Sequence, residues 1–359
     1  MPTRRITFLL FWACVSGCGR SPSPDAGLTT QQPKPERGLI GAYYYSWYDK
    51  ARWTEQPVAD MPKLGHYSSG DSAVAAQHVE WAKQADIDFF VVSWLSPNGR
   101  EDRNLKRTLL PELEKSNFHF ALLYETRLAF GWPYDKPVDF ARRLANAATA
   151  GDTMVEHFEY LAKTYFPRQS YLRMAGKPVV VFYALRGISN AVPYFKLARA
   201  RLAKLGFEPY LIADLLYWEP LEGNDWALLR EHFQAITAYN MYYRPNFLSA
   251  VEERFRAAKL IASSNGLIFI PNVMPGYDDR KLRGGSREAL DRQAGQFYRN
   301  HWNMSSQFVG DRQPFMFITS FNEWHEGSEL EPGTESGHRY LALTKELTAT
   351  IRSRISGSK

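Results

Sequence analysis

The sequence predicts one α/β domain, a (β/α)8 or TIM barrel, placed after an N-terminal leader and a flexible tether. Apolar strand-like segments alternate strictly with helix-like segments, and eight of each follow one another. Polar and aromatic residues recur where the strand-like segments end. The strand-like segments are 38–47, 87–95, 118–125, 178–185, 209–216, 235–241, 267–273 and 314–320. The helix-like segments are 72–86, 101–116, 153–166, 191–205, 226–233, 247–264, 287–302 and 340–355.

Strict alternation favours a parallel sheet with right-handed crossovers, and eight such units can close into a barrel. The strands are nearly continuous apolar runs, which is typical of strands buried on both faces. The competing fold is an open doubly wound sheet, but no Gly-x-Gly-x-x-Gly fingerprint follows the first strand. With 359 residues and 45% hydrophobic content, the chain can build one large core, so we assign residues 38–359 to the barrel.

The first residues indicate an export signal. Arg4 and Arg5 precede an apolar run, 6–15, that is too short to span a bilayer. The segment 15–18, Val-Ser-Gly-Cys, resembles a bacterial lipobox, so residues 1–17 are a predicted lipoprotein signal peptide and Cys18 a predicted lipidation site. Ordinary signal cleavage nearby is the alternative. Residues 18–37, rich in Ser, Pro and Gln, read as a flexible tether.

This leader implies a lipid-anchored protein of the bacterial cell envelope, on the outer membrane if the cell has two membranes. Cleavage would leave Cys18 as the only cysteine, so no intrachain disulfide is expected. The chain has 44 Lys and Arg against 38 Asp and Glu, a net charge of +6, without a dense basic run. We therefore expect no nucleic-acid partner, and we expect a monomer.

The most informative stretch follows the last strand and contains Asn322, Glu323, Trp324, His325 and Glu326. Ligands of α/β barrels bind at the carboxyl ends of the strands. Two carboxylates at such a place suit glycosidic bond cleavage, which needs an acid for the leaving oxygen and a second carboxylate as nucleophile or base. Aromatic side chains, 14% of the chain, suit the apolar faces of sugar rings.

Other strand ends supply further candidates for the site. Glu125, after strand three, is a third candidate carboxylate, and His325 is expected to orient substrate or neighbouring groups. No His pair at helical spacing and no calcium-binding loop occurs in the sequence, so neither a metal ion nor another cofactor is expected. The candidate residues for substrate binding, most of them aromatic, are Tyr45, Trp47, Trp94, Glu125, Tyr239, Tyr277, Asn322, Trp324 and His325.

The run 319–327, Thr-Ser-Phe-Asn-Glu-Trp-His-Glu-Gly, with Glu331-Pro332 after it, resembles the signature of glycoside hydrolase family 99. This family comprises endo-acting α-mannosidases and α-1,2-mannanases. Segments 44–48, 64–71, 91–94 and 269–277 are similar to further family segments, in the same order. Departures occur at 123–127 and at 283–286, so the identity of the glycan stays open. Glu329 is a further departure, with two interpretations: it shifts the pKa of the catalytic acid, or it faces solvent.

The resemblance implies a (β/α)8 barrel that hydrolyses α-mannosides with retention of configuration. One Glu would act as base on the substrate's own 2-hydroxyl, giving a 1,2-anhydro sugar, and a second would act as acid and then as base. By position these are Glu323 and Glu326. The resemblance also matches Glu125 to a sugar-binding carboxylate of strand three, Tyr239 to a tyrosine near the reacting centre and Trp94 to an aromatic residue of strand two. Two alternatives stay open: a glycan-binding lipoprotein without catalysis, and a related barrel that builds surface polysaccharide.

Overall fold

The computed structural model describes residues 32–34, 38–55, 57–132, 138–146, 148–185, 188–215, 225–239, 245–284, 288–310 and 315–357. The predicted signal peptide, Cys18 and most of the tether lie outside these ranges. Gln32, near the end of the tether, contacts the barrel domain, because its side chain bonds to the backbone of Gln169, Tyr171 and Arg173. Among the described residues, no helix combines the length and hydropathy needed to cross a bilayer.

Parallel strands form the centre of the domain, and each corresponds to one predicted strand. In chain order they are β1 Leu39–Tyr44, β2 Phe89–Trp94, β3 His119–Tyr124, β4 Lys177–Phe182, β5 Tyr210–Asp214, β6 Ala235–Thr237, β7 Ile268–Phe269 with Asn272–Val273, and β8 Phe315–Ile318. Strand β7 is divided into two halves. Neighbours in sequence are neighbours in the sheet, and β1 pairs with both β2 and β8.

Strand β7 closes the ring in two halves. Ile268–Phe269 pairs with β6, and Asn272–Val273 pairs with β8. Pro271 lies between the halves and has no N–H to give to a ladder, which suits a change of partner at this point. The first half bonds through the Ile270 N–H to Ile236, and Pro271 accepts from the Phe317 N–H. The predicted eightfold barrel is therefore closed, with its seventh strand shared between two neighbours.

Helices follow the strands around the outside of the barrel. They are α1 Ser72–Gln84, α2 at 100–115, α3 Ala150–Thr164, α4 Val192–Lys204, α5 Trp226–His232, α6 Phe247–Ser264, α7 Gln296–Ser306 and α8 Arg339–Gly357. Helix α2 contains a π-helical segment, Leu105–Leu109. Helix α3 begins with a capping box, in which Thr149 and Asp152 satisfy each other's backbone N–H groups.

Period-two alternation along the strands separates two cores. Inward residues such as Tyr43, Phe89 and Val91 fill the barrel, whereas outward residues such as Phe90 and Val92 pack beneath the helices. Both faces of each barrel strand are therefore apolar, which is why the strands read as continuous apolar runs.

Three features differ from the sequence-based expectation. The strands stop earlier at their carboxyl ends, so residues 45–47 and 238–239 are loop rather than strand. Helix α7 begins at Gln296 instead of 287, because Leu290 forms an isolated bridge with Tyr277 and Gly295 takes a positive φ of 101°. Short elements that the sequence pattern did not predict include the helix Lys50–Glu55 and the strand pair Val138–Asp139 with Ile188–Ser189.

Candidate active site

The chain leaves β8 through a short 3-10 turn, Trp324–Glu326, which follows Glu323 directly. Glu323 is buried, and the Glu326 side chain is 14% exposed. Gly327 ends the turn with a φ of 56°, and a Cβ there would lie 3.0 Å from the Asp278 backbone nitrogen. That nitrogen donates to the Glu326 carbonyl at 2.7 Å, so a glycine lets the loop after β7 support the turn.

Residues after β1 clamp the other side of the turn. The Asn322 side chain accepts from the Tyr45 N–H at 2.8 Å and donates to the Tyr45 carbonyl at 2.9 Å. The Tyr48 hydroxyl donates to the Asn322 carbonyl at 2.7 Å and accepts from the Trp324 N–H at 3.1 Å. Since each such buried bond contributes about 0.5–1.5 kcal/mol net, this clamp fixes the turn against the neighbouring strand end.

Glu323 keeps one carboxylate oxygen available. Its backbone N–H donates to Ser320 Oγ at 2.7 Å, and its Oε1 lies 3.4 Å from His325 Nδ1. Its Oε2 is buried and has no hydrogen-bond partner among the described residues. His325 stacks on the Tyr48 ring, with centroids 5.4 Å apart. A buried carboxylate oxygen without a partner is an acceptor for a ligand hydroxyl.

Glu326 is held in a different environment. The Tyr239 hydroxyl donates to its Oε2 at 3.2 Å, and Arg283 Nη2 lies 4.0 Å from its Oε1. Burial, followed by the charge of Glu323, raises the pKa of the Glu326 carboxyl to about 8, although Arg283 and Tyr239 oppose the shift. Glu326 therefore carries a proton at neutral pH and can donate it.

Glu125 comes from the end of β3 and is the third buried carboxyl of the site. Ser93 Oγ, on β2, donates to Glu125 Oε1 at 2.9 Å, while Oε2 has no partner among the described residues. Burial raises the pKa of Glu125 to about 8, and the charges of Asp214, Glu323 and Glu326 add to the shift. The structure therefore brings the three predicted carboxyls, from β3 and β8, into one electrostatic cluster.

Two residues outside the set of predicted site residues support this cluster. Ser93 orients Glu125, and Asp214, fully buried at the end of β5, accepts the Tyr239 N–H at 2.9 Å. Both are polar residues at strand ends, and that position is the signal in the sequence from which they could have been selected.

Aromatic rings lie beside the carboxyls. Tyr45 and Trp47 stack with centroids 4.4 Å apart, and Arg52 covers the Trp47 ring at 4.3 Å. The ring of Tyr239 meets Tyr45 edge-on at 6.4 Å and Tyr43 at 4.8 Å. Residues 216–224, 240–244 and 285–287, which follow β5, β6 and β7 in the sequence, lie outside the described residues.

The structure does not bring Trp94 into the site, contrary to the prediction of a substrate contact. Trp94 is fully buried between the barrel and its helices, stacks with Tyr124 and donates from Nε1 to Asp102 Oδ1 at 2.8 Å. Its neighbour Ser93 points inward instead, as alternation along a strand requires. Trp94 therefore belongs to the core beneath the helices.

Asn322 and Trp324 were also predicted to contact substrate, but both side chains are fully buried and bonded to protein groups. The side chain of Tyr277 is buried as well. Trp324 donates from Nε1 to Glu331 Oε2 at 2.7 Å, and the Tyr277 hydroxyl donates to Asp279 Oδ2 at 3.3 Å. Tyr277 lines a polar cavity of about 450 Å³ next to Gly327 and Glu329.

Glu329 is buried, so the possibility that it faces solvent is excluded. It pairs with Arg292 at 2.6 Å, and burial raises its carboxyl pKa to about 7. In the part of the chain that the structure describes, no group of three or more His, Cys, Asp or Glu residues could hold a metal ion.

A closed (β/α)8 barrel with paired buried carboxyls and stacked aromatic rings at the carboxyl ends of its strands has the make-up of a glycoside hydrolase. The family model described as "Glycosyl hydrolase family 99" matches residues 56–345. The chain thus belongs to glycosyl hydrolase family 99, which confirms the resemblance and makes it a glycoside hydrolase.

Relatives and solved structures agree with this assignment. The mouse glycoprotein endo-alpha-1,2-mannosidase-like protein is 27% identical over 89% of this chain and 77% of its own length. The mouse glycoprotein endo-alpha-1,2-mannosidase is 23% identical over 88% of this chain and 73% of its own length. The GH99 endo-alpha-mannosidase of Bacteroides thetaiotaomicron has a similar fold, with a TM-score of 0.70, 20% identity and coverage of 89% of this chain and 99% of that chain.

Proposed function

We propose that this protein is a retaining, endo-acting α-mannosidase that cleaves α-mannoside oligosaccharides or polysaccharides. The observation that carries the proposal is the placement of Glu323 and Glu326 on one turn, one with an unpartnered buried oxygen and the other with a raised pKa. Relatives described as endo-alpha-1,2-mannosidases support the α-mannoside as substrate.

In the first step, Glu323 accepts the proton of the substrate's 2-hydroxyl while the 2-oxygen attacks C1. Glu326 protonates the leaving oxygen as the glycosidic bond breaks. The products are a shortened glycan and a 1,2-anhydro sugar. The open Oε2 of Glu323 suits it to the base role, because an acceptor without a protein partner is ready for a hydroxyl proton.

In the second step, water opens the 1,2-anhydro sugar at C1. Glu326, now ionised, takes the proton of that water, and Glu323 returns its proton to the 2-oxygen. Two inversions at C1 give net retention. Because Glu326 alternates between acid and base, a pKa near the working pH favours both steps.

The proposed site on the protein for the sugar ring lies against Tyr45, Trp47 and Tyr239, with Glu125 as a further polar contact. Trp47 offers a partly exposed ring, and its neighbour Arg52 holds that ring in place. Export through the 1–17 leader and lipidation at Cys18 would put this site on the cell envelope, where intact glycans are accessible.

The test is a panel of α-mannan and high-mannose oligosaccharides, with product sizing and NMR of the first-formed anomer. We expect internal cleavage to give oligosaccharide products in the α configuration. Tight binding of intact oligosaccharide without products would instead support a non-catalytic glycan-binding lipoprotein. Dependence on an activated sugar donor would support a role in polysaccharide synthesis.

A further inference from the structure

Glu331, five residues after Glu326, is a buried carboxylate that accepts three side-chain hydrogen bonds. Its Oε2 accepts from the Tyr67 hydroxyl at 2.8 Å and from Trp324 Nε1 at 2.7 Å. Its Oε1 lies 3.0 Å from His78 Nε2. The residue is 1% exposed, so it cannot touch a sugar in the cleft. A carboxylate this deep is stable only when several donors replace the lost water.

The donors join parts of the chain that are far apart in sequence. His78 lies on the buried side of α1, and its Nδ1 contacts the Tyr44 hydroxyl, on β1, at 3.0 Å. Tyr67 belongs to the loop after β1, and its carbonyl accepts from Trp53 Nε1 at 2.7 Å. The network therefore anchors its remaining member, Trp324, to the rigid β1 and α1 side of the barrel.

Trp324 is the residue between Glu323 and His325 on the turn that carries both proposed catalytic carboxyls. Its backbone N–H is held by Tyr48 and its side chain by Glu331, so both ends of the residue are fixed. A rotation of Trp324 would move the backbone of Glu323 on one side and Glu326, through the same 3-10 turn, on the other.

We propose that Glu331 is a positioning residue for the hydrolytic reaction, acting through Trp324 to fix the orientation of Glu323 and Glu326. The expected effect on kcat rests on the proposed function, whereas the expected effect on the rigidity of the turn does not. Its importance follows from the steep dependence of rate on geometry, since a displacement of about 1 Å can reduce a rate by roughly 100-fold.

Glu331→Gln tests the proposal with little change in shape. The amide has a single oxygen, whereas the carboxylate accepts from donors at both ends, so at least one of His78, Tyr67 and Trp324 loses its acceptor. We expect kcat to fall by about 10- to 100-fold, with KM within about threefold of the wild type, because the reacting groups move while the sugar-binding rings stay.

The chain offers a matched control in Asp102. This buried carboxylate also accepts from a tryptophan, Trp94 Nε1, at 2.8 Å, and from two tyrosines, Tyr165 at 2.5 Å and Tyr160 at 2.7 Å. It also accepts from the Asn98 N–H at 2.8 Å and pairs with Lys106 at 2.8 Å. Its donors therefore come from β2, the segment after β2, α2 and the region of α3, and none of them lies on the turn after β8. Asp102→Asn should lower the melting temperature about as much as Glu331→Gln, yet leave kcat within about twofold.

Amide hydrogen exchange of residues 320–331 provides a readout that is independent of activity. We expect faster exchange there in Glu331→Gln and not in Asp102→Asn. Trp324→Phe, which removes only the indole N–H donor and part of the ring, should reproduce the exchange change and the loss of kcat, and it carries the test if Glu331→Gln does not fold.

Unchanged exchange at 320–331 in both Glu331→Gln and Trp324→Phe would overturn the proposal, as would equal losses of kcat in Glu331→Gln and Asp102→Asn. A wild-type protein that cleaves no α-mannoside would refute the proposed function alone, because the exchange comparison would still decide whether Glu331 fixes the turn.

Discussion

Glu326→Gln is the substitution that distinguishes most sharply between the roles proposed for Glu323 and Glu326. It keeps the size of the side chain and an acceptor for the Tyr239 hydroxyl, but it removes the proton that the leaving oxygen needs. General acid catalysis contributes about 10²- to 10⁴-fold, so kcat on a natural mannoside should fall by that factor, equivalent to about 3–5.5 kcal/mol. An α-mannosyl fluoride needs little protonation of its leaving group, so its first step should be much less affected.

The wild-type pH profile gives the second half of the same prediction. With a Glu326 pKa of about 8, about 90% of the enzyme holds the acid proton at pH 7 and about 10% holds it at pH 9. The kcat/KM for a natural mannoside should therefore fall by roughly tenfold per pH unit above pH 8. That falling limb should be absent in Glu326→Gln, because the variant has no acid proton at this position.

The assay is initial-rate hydrolysis of an α-mannan oligosaccharide and of an α-mannosyl fluoride, from pH 5 to pH 10. Asp88→Asn is the control for nonspecific damage. Asp88 is buried before β2 at the opposite end of the barrel, where it accepts from the Ile40 N–H at 2.8 Å and pairs with Arg352 at 2.7 Å. Equal losses on both substrates, or an unchanged alkaline limb in Glu326→Gln, would refute the acid role.

Three further predictions concern binding, the core and the pH dependence of stability. Glu125→Gln should keep KM within about threefold of the wild type at pH 6.5, because the native carboxyl, with its pKa of about 8, is already neutral at that pH. Glu125→Leu, which removes the polar group, should raise KM by about tenfold. Similar KM values for the two variants would contradict this prediction. Trp94→Phe should destabilise the protein by about 1–3 kcal/mol, because the hydrogen bond to Asp102 is lost, and it should leave KM unchanged. Calorimetry measures the stability and steady-state kinetics measure KM. A clear rise in KM would show that Trp94 contacts the substrate after all. The melting temperature should fall between pH 6.5 and pH 8.5. Glu125, Glu326 and Glu329 have pKa values of about 8, 8 and 7 in the folded state, against 4.5 in the unfolded state. The folded state therefore binds more protons than the unfolded state in this window, so its stability falls as the pH rises, until the folded carboxyls have dissociated. Three buried histidines with pKa values near 4 act in the opposite sense only below about pH 6.5, and a melting temperature that stays flat or rises above that pH would contradict the assignment.

The barrel could be predicted because its signals are local. Helix α6 occupies Phe247–Ser264, the same residues as the predicted segment, and each predicted strand overlaps an observed one. Residues at the carboxyl ends of parallel strands meet at one edge whatever the loops do, so Glu125, Glu323 and Glu326 could be selected together.

Side-chain direction was harder to predict. Residues on both faces of β2 are buried, so the hydrophobic pattern does not reveal which of them point into the barrel. Trp94 was predicted to contact the substrate, whereas Ser93 is the residue that points inward and bonds to Glu125. The bond between Tyr67 and Glu331 joins residues 264 positions apart, and no periodicity in the sequence encodes such a contact.

The division of β7 into two short halves affects where the barrel strands separate first in local unfolding. Each half offers two residue pairs to one neighbour, whereas β2 and β3 share six pairs along their common edge. A ladder this short holds its neighbours with few bonds, so thermal breathing of the ring should begin at 268–273 and spread to the adjoining β8. Strand β8, which leads into the proposed catalytic pair Glu323 and Glu326, thus borders the divided strand, and long-range hydrogen bonds from the β1 side hold its end in place.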